Sequence, residues 1–160
     1  MGSSKLIYFT GSSGYIGKEL TKKFKNKKCN LVNIKSGDVP PKANLSNDSS
    51  DILLHFGESA IGLDNFASEI ENYSSIIFNY TKIFNKIIYI SSINVKNFLT
   101  YKKDGLENYL SNYTCRKIIC ERIVLQNPNN LVVRLPGVIN NNPKKNTILY
   151  EIIEQLKKGI

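Results

Sequence analysis

The 160-residue sequence contains no tryptophan and only one histidine, His55. Its three cysteines, Cys29, Cys115 and Cys120, are odd in number and stand at no metal-ligand spacing. That argues against a disulfide framework and against a zinc-type cluster, so no metal site is expected and the cysteines read as reduced, half-buried thiols. No run of about 18 apolar residues occurs, so no membrane-spanning helix is expected. The first residues lack the apolar stretch of a secretory signal, and Leu6 stands where a myristoylation pattern needs Ser or Thr. Cytoplasmic location is the expectation.

What the chain has in excess is positive charge, 22 Lys and Arg against 13 Asp and Glu, for a formal net charge of +9. The lysines are dispersed, as in "KKFKNKK" and "NPKKN", and read as solvated faces. A nucleic-acid partner would need a clustered basic face with stacking aromatics, and none is apparent. An anionic small molecule is the better match to this charge. The length and a hydrophobic fraction of 41% suit one domain with one core, spanning residues 1–160.

Short apolar runs alternate with helical patterns along the chain. Strands are expected over Lys5–Thr10, Leu31–Lys35, Asp51–Phe56, Lys86–Ser91 and Leu131–Leu135, with a short sixth candidate at Ala43–Leu45. Helices are expected over Tyr15–Asn26, Asp64–Asn85, Glu107–Leu125 and Thr147–Lys158, the last closed by Gly159. Continuous apolar strands alternating with helices indicate an α/β fold: a Rossmann-like, doubly wound parallel sheet of five to six strands with helices on both faces.

The first strand runs into "TGSSGYIG", residues 10–17. A glycine-rich turn between strand and helix aims backbone N–H groups and the helix dipole at an anion. Gly11 allows a sharp turn, Gly14 a close approach to a pyrophosphate, and Gly17 tight packing of helix on strand. The spacing is G-x-x-G-x-x-G, and no Gly-Lys-Ser/Thr of a Walker loop follows. In this context the turn points to a dinucleotide, with Gly11, Ser12, Ser13, Gly14, Tyr15, Ile16 and Gly17 as candidate contacts.

A second pattern is "YTCRK", which sets Tyr113 and Lys117 four apart on one side of a helix. An ammonium beside a phenol favours the phenolate, which suits a tyrosine to general acid–base work. Nine tyrosines are present, and only Tyr113 has a lysine four residues on. Ser91 and Ser92 end the preceding strand. In an open parallel sheet, the glycine turn, Ser92 and the late helix meet at the carboxyl edge of the strands.

These motifs in this order, "TGSSGYIG", "ISS", "YTCRK" and then "RLP" after the next strand, resemble the short-chain dehydrogenase/reductase superfamily. More narrowly the chain resembles its extended branch of NAD(P)-dependent nucleotide-sugar epimerases and dehydratases. The resemblance implies that Gly11, Gly14 and Gly17 hold a pyrophosphate and that Tyr113 exchanges the proton of a substrate hydroxyl. It implies that Lys117 tunes Tyr113 and bonds the nicotinamide ribose, and that Ser92 bonds the reacting oxygen. Pro136, Gly137 and Val138 would flank the nicotinamide. His55 and Gly57 lie where the family has a turn near the cofactor, although "HFGE" departs from the family pattern there.

The acidic residue that would hold the ribose diol of NAD is absent from the end of the second strand. Lys35 and Ser36 stand there instead, and with Ser12 and Ser13 they suit a 2′-phosphate, which favours NADP(H) over NAD(H). Ile93 and Asn94 follow Ser92 where dehydratases of the branch carry Asp-Glu, so epimerase or ketosugar reductase chemistry on a nucleotide sugar is the implied activity. The segment between Lys35 and Asp51 is too short for a full crossover helix and strand. The substrate-gripping domain of the branch has no counterpart within the 160 residues. The alternative is a truncated or catalytically lost relative that serves as a NAD(P)-binding or scaffold protein. By analogy with the branch, a homodimer is expected.

Overall fold

The computed structural model describes residues 6–26, 30–35, 37–38, 51–57, 66–96 and 112–136. Five strands and three helices follow in the order β1 (Leu6–Thr10), α1 (Tyr15–Asn26), β2 (Asn30–Ile34), β3 (Ile52–His55), α2 (Phe66–Ile83), β4 (Lys86–Ser92), α3 (Asn112–Val124) and β5 (Leu131–Leu135). A short helical turn, 93–96, follows β4. The expected strand at Ala43–Leu45 and helix at Thr147–Lys158 lie outside the described residues.

All neighbouring strands pair in parallel, in the sheet order β2-β1-β3-β4-β5. The chain steps from β1 to β2 in one direction and from β3 through β4 to β5 in the other. Right-handed crossovers then place α1 on one face and α2 and α3 on the opposite face. The sheet is therefore doubly wound, and its order reverses between β1 and β3, where such folds open a crevice at the carboxyl ends of the strands.

The core lies under α2 and α3. Tyr8, Leu53 and Ile87 are in register across β1, β3 and β4, so they share one face. They pack with Tyr73, Ile77, Tyr80 and Phe84 of α2 and its end, and with Cys120 and Val124 of α3. Spacings of four, three and four along α2 bring its four residues to one stripe. Side chains also fix strand ends. Asp51 Oδ1 accepts the Leu6 N–H at 3.1 Å. Asn130 accepts the Ile87 N–H at 2.7 Å and donates to the Val124 carbonyl at 2.9 Å, which ties the α3–β5 turn to β4.

Helix α3 departs from a simple amphipathic pattern because it buries Arg116, Lys117 and Glu121 as well as apolar residues. Each has an anchor. Arg116 pairs with Glu69 of α2. Lys117 Nζ donates to the Ile90 carbonyl of β4 at 2.7 Å. Glu121 takes a two-pronged ion pair from Arg134 of β5, at 2.6–3.2 Å. The Glu121 carboxylate holds the Arg134 guanidinium above its ordinary pKa, outweighing the opposite effect of burial.

Candidate cofactor and active-site cleft

At the switch point a cleft of about 610 Å³ opens along the carboxyl edge of the sheet. One wall is the turn after β1. Gly11 has φ of 77°, in the left-handed region that favours glycine. A Cβ there would also lie 2.7 Å from the backbone nitrogen of Gly57, so two chain segments approach without side chains between them. At Gly17 a Cβ would stand 2.0 Å from the Gly11 carbonyl oxygen, so any side chain there would force the turn and the helix start apart. Gly14 is less constrained. Its N–H donates to the Gly11 carbonyl at 3.0 Å, and an added Cβ would meet that oxygen at 3.2 Å.

The turn is braced from beneath by Thr10 and His55. The Thr10 hydroxyl accepts the Gly57 N–H at 3.1 Å and is hydrogen-bonded to His55 Nδ1 at 2.9 Å. His55 is 1% exposed, with its ring stacked on Tyr89 at 5.7 Å and tilted against Tyr80 at 5.6 Å. It sits in the core, outside the lining of the cleft. The sequence did not single out Thr10, whose position as the last residue of β1 is what lets it reach β3.

The opposite wall carries the Tyr–Lys pair. Tyr113 and Lys117 both line the cleft, with Gly11, Gly14, Tyr15, Ile16 and Gly17 across from them. Tyr113 is 41% exposed, and the buried Lys117 ammonium lies 5.6 Å from its ring and 4.7 Å from the Tyr89 ring. The Arg116 guanidinium lies over Tyr73 at 4.3 Å and 5.5 Å from the Tyr113 ring. Ser92 and Pro136 complete the end of the cleft beyond β4 and β5. The Ser92 hydroxyl accepts the Asn94 N–H at 3.3 Å and so caps the 93–96 turn.

Three of the other sequence-predicted contacts lie outside the lining of the cleft. Lys35 is exposed at the end of β2, and Ser12 and Ser13 belong to the turn without lining the cleft. Ser36, Gly137 and Val138 lie outside the described residues. The turn after β2 is held by Tyr80 of α2, which sequence reasoning missed. Its hydroxyl accepts the Gly37 N–H at 3.1 Å and donates to the Asp38 carbonyl at 3.3 Å. Burial, and secondarily the charge of Asp38, push the Tyr80 phenol above its ordinary pKa, against the opposing pull of the Gly37 N–H. Phe56, Ile90, Ser91, Ile93, Asn94 and Leu135 also line the cleft. Only the pairing of strands, not local sequence, gathers them. Among the described residues no group of three metal-binding side chains forms, and no helix is long and apolar enough to cross a membrane.

Solved structures share this fold. A NAD-dependent NDP-hexosamine 5,6-dehydratase involved in tunicamycin biosynthesis superposes with a TM-score of 0.68 at 14% identity, covering 95% of this chain and 61% of its own. A dTDP-4-dehydrorhamnose reductase from Bacillus anthracis in complex with NADP gives 0.64 at 14% identity, over 100% and 62%. The dTDP-4-dehydrorhamnose reductase from Yersinia enterocolitica gives 0.63 at 20% identity, over 97% and 61%. The chain thus spans less than two thirds of the length of these structures, and at such identities the likeness is one of fold. No family model and no curated protein matches the sequence.

Proposed function

We propose that the cleft binds a nicotinamide dinucleotide and that the chain belongs to the extended short-chain dehydrogenase/reductase type, acting as an oxidoreductase or epimerase on a nucleotide-linked sugar. The observation that carries this reading is that the glycine turn and the Tyr113–Lys117 pair, remote in sequence, line the same cleft. The residues present fit such a group. The Gly11–Gly17 turn leaves a side-chain-free cradle at a helix N-terminus, where a pyrophosphate is favoured. Two buried hydroxyls that line the cleft, those of Tyr15 and Ser91, have no hydrogen-bond partner among the described residues. Solved structures of this fold with bound NAD, NADP or NADPH support the same choice.

In this reading the backbone of Gly11, Gly14 and Gly17, with Tyr15 and Ile16, holds the pyrophosphate. Lys117 bonds the ribose next to the nicotinamide and supplies positive charge beside Tyr113. Tyr113 exchanges a proton with the substrate hydroxyl or carbonyl, Ser92 bonds the same oxygen, and Pro136 flanks the ring. Bound there, the nicotinamide would supply the hydride acceptor and donor. Lys35, exposed beside the turn that Tyr80 fixes, is available for a 2′-phosphate, which favours NADP(H) over NAD(H). Ile93 and Asn94 after Ser92 leave no carboxylate at the position of the dehydratase pair, so epimerase or ketosugar reductase activity is the form proposed, with a homodimer as the assembly.

The test is turnover of UDP-, GDP- and dTDP-linked sugars or ketosugars with NADPH or NADH by the wild-type chain and by Tyr113→Phe. The phenylalanine variant should lose about 10²- to 10⁴-fold in kcat while its dinucleotide affinity stays within about twofold. Equal turnover in the two proteins would remove Tyr113 from the chemistry.

A further inference from the structure

We infer that the Ser91 hydroxyl is a ligand contact, taking a hydroxyl of the ribose that carries the nicotinamide. The inference rests on the dinucleotide reading above and adds a residue to it. Ser91 is 4% exposed, its Oγ has no hydrogen-bond partner among the described residues, and it lines the cleft. A buried hydroxyl in that condition is unfavourable unless something that enters the cleft completes it.

Its neighbours indicate what enters. Ser91 is in register with Arg134, and Arg134 reaches Glu121 of α3. Ser91 therefore stands on the sheet face that α3 covers, the face on which Lys117 lies over Tyr89. The Lys117 ammonium is fastened to the carbonyl of Ile90, the residue immediately before Ser91. Ser92 stands on the opposite pleat, and its hydroxyl already accepts the Asn94 N–H. The two adjacent serines thus differ: the Ser92 hydroxyl accepts one hydrogen bond from the turn and keeps its proton for the substrate oxygen, whereas the Ser91 hydroxyl has no partner among the described residues. A phosphate would be drawn to the backbone N–H groups of the glycine turn on the other wall. A ribose diol, whose hydroxyls both donate and accept, is the partner that a serine hydroxyl and an ammonium share well. The buried Tyr15 hydroxyl, at the glycine end of the cleft, likewise has no partner among the described residues.

Calorimetric titration of the wild-type chain and Ser91→Ala with NADPH, NADH, ADP-ribose and ADP separates the possibilities, with thermal unfolding of each ligand-free protein alongside. ADP-ribose keeps the second ribose, and ADP keeps both phosphates but lacks that ribose. The expected result is a three- to tenfold loss of affinity, roughly one hydrogen bond, for NADPH, NADH and ADP-ribose. ADP affinity should stay within about twofold, and the ligand-free Tm should hold or rise because an incomplete buried hydroxyl has been removed. Unchanged NADPH and NADH affinity in Ser91→Ala overturns the inference while leaving the dinucleotide reading intact. An equal loss for ADP overturns the ribose assignment. A wild-type chain that binds neither NADPH nor NADH overturns the dinucleotide reading itself, and this inference with it.

Discussion

The two walls of the cleft are made by different means. The glycine wall is backbone against backbone: Gly11 meets Gly57, Gly17 meets the Gly11 carbonyl, and among the described residues that line it none is charged. The opposite wall is made of side chains whose positions depend on distant anchors, with Lys117 on the Ile90 carbonyl and Arg116 on Glu69. A backbone cradle tolerates almost no added volume but needs no electrostatic balance. A side-chain wall tolerates volume but places buried charges that each require a partner. The contrast explains why substitutions on the two walls should fail differently.

Gly17→Ala should be the most damaging change. Its Cβ would meet a backbone oxygen at 2.0 Å, and the expected cost is about 3 kcal/mol or more by denaturant unfolding. Gly14→Ala is the control on the same wall. With the nearest contact at 3.2 Å and a position at the helix start, it should cost less than about 1 kcal/mol. If the two alanines cost the same, steric closeness is not what the glycines serve.

On the other wall, Glu69→Gln removes the ion-pair partner of the buried Arg116, whose guanidinium lies against Tyr73 and near Tyr113. The expected loss is about 2 kcal/mol of stability, with kcat falling further than dinucleotide affinity, because the damage is confined to the α2–α3 side. An affinity loss as large as the kcat loss would show that the walls are not separable in this way.

A modest effect is expected away from both walls, at the far end of β2. Tyr80→Phe removes the hydroxyl that holds the Gly37–Asp38 turn and should cost about 1 kcal/mol. Burial raises the folded-state pKa of Tyr80 and of Tyr8 above the unfolded value of about 10. Between those values the unfolded chain releases protons that the folded chain retains. Stability is therefore fully present below about pH 10 and falls as pH rises beyond it. Tyr80→Phe should flatten that alkaline fall, read from unfolding curves between about pH 9 and 11. An unchanged slope would contradict the assignment of Tyr80 to it.

The same contrast governs what the sequence disclosed. Helix α1 begins at Tyr15 and β5 runs Leu131–Leu135, as their local patterns indicate, and β2 is displaced by a single residue. The backbone wall was legible because glycine spacing encodes it directly. Tyr113 and Lys117 were legible because their separation is one helical turn. Their surroundings were not. The apolar pattern of α3 is broken by Arg116, Lys117 and Glu121, whose partners are 47, 27 and 13 residues away in sequence. Tyr80 and Thr10 act through contacts 42 to 47 residues long, which no local pattern displays. The difference between Ser91 and Ser92 follows from the pleat and from which face α3 covers, so it needed the strand register.

The central claim is that the glycine wall and the Tyr113–Lys117 wall close on one nicotinamide dinucleotide. Titration calorimetry of the intact chain with NADPH and NADH tests it most directly. The expected result is saturable binding of one dinucleotide per chain, tighter for NADPH than for NADH. The absence of binding heat with either dinucleotide, up to about millimolar ligand, would contradict it.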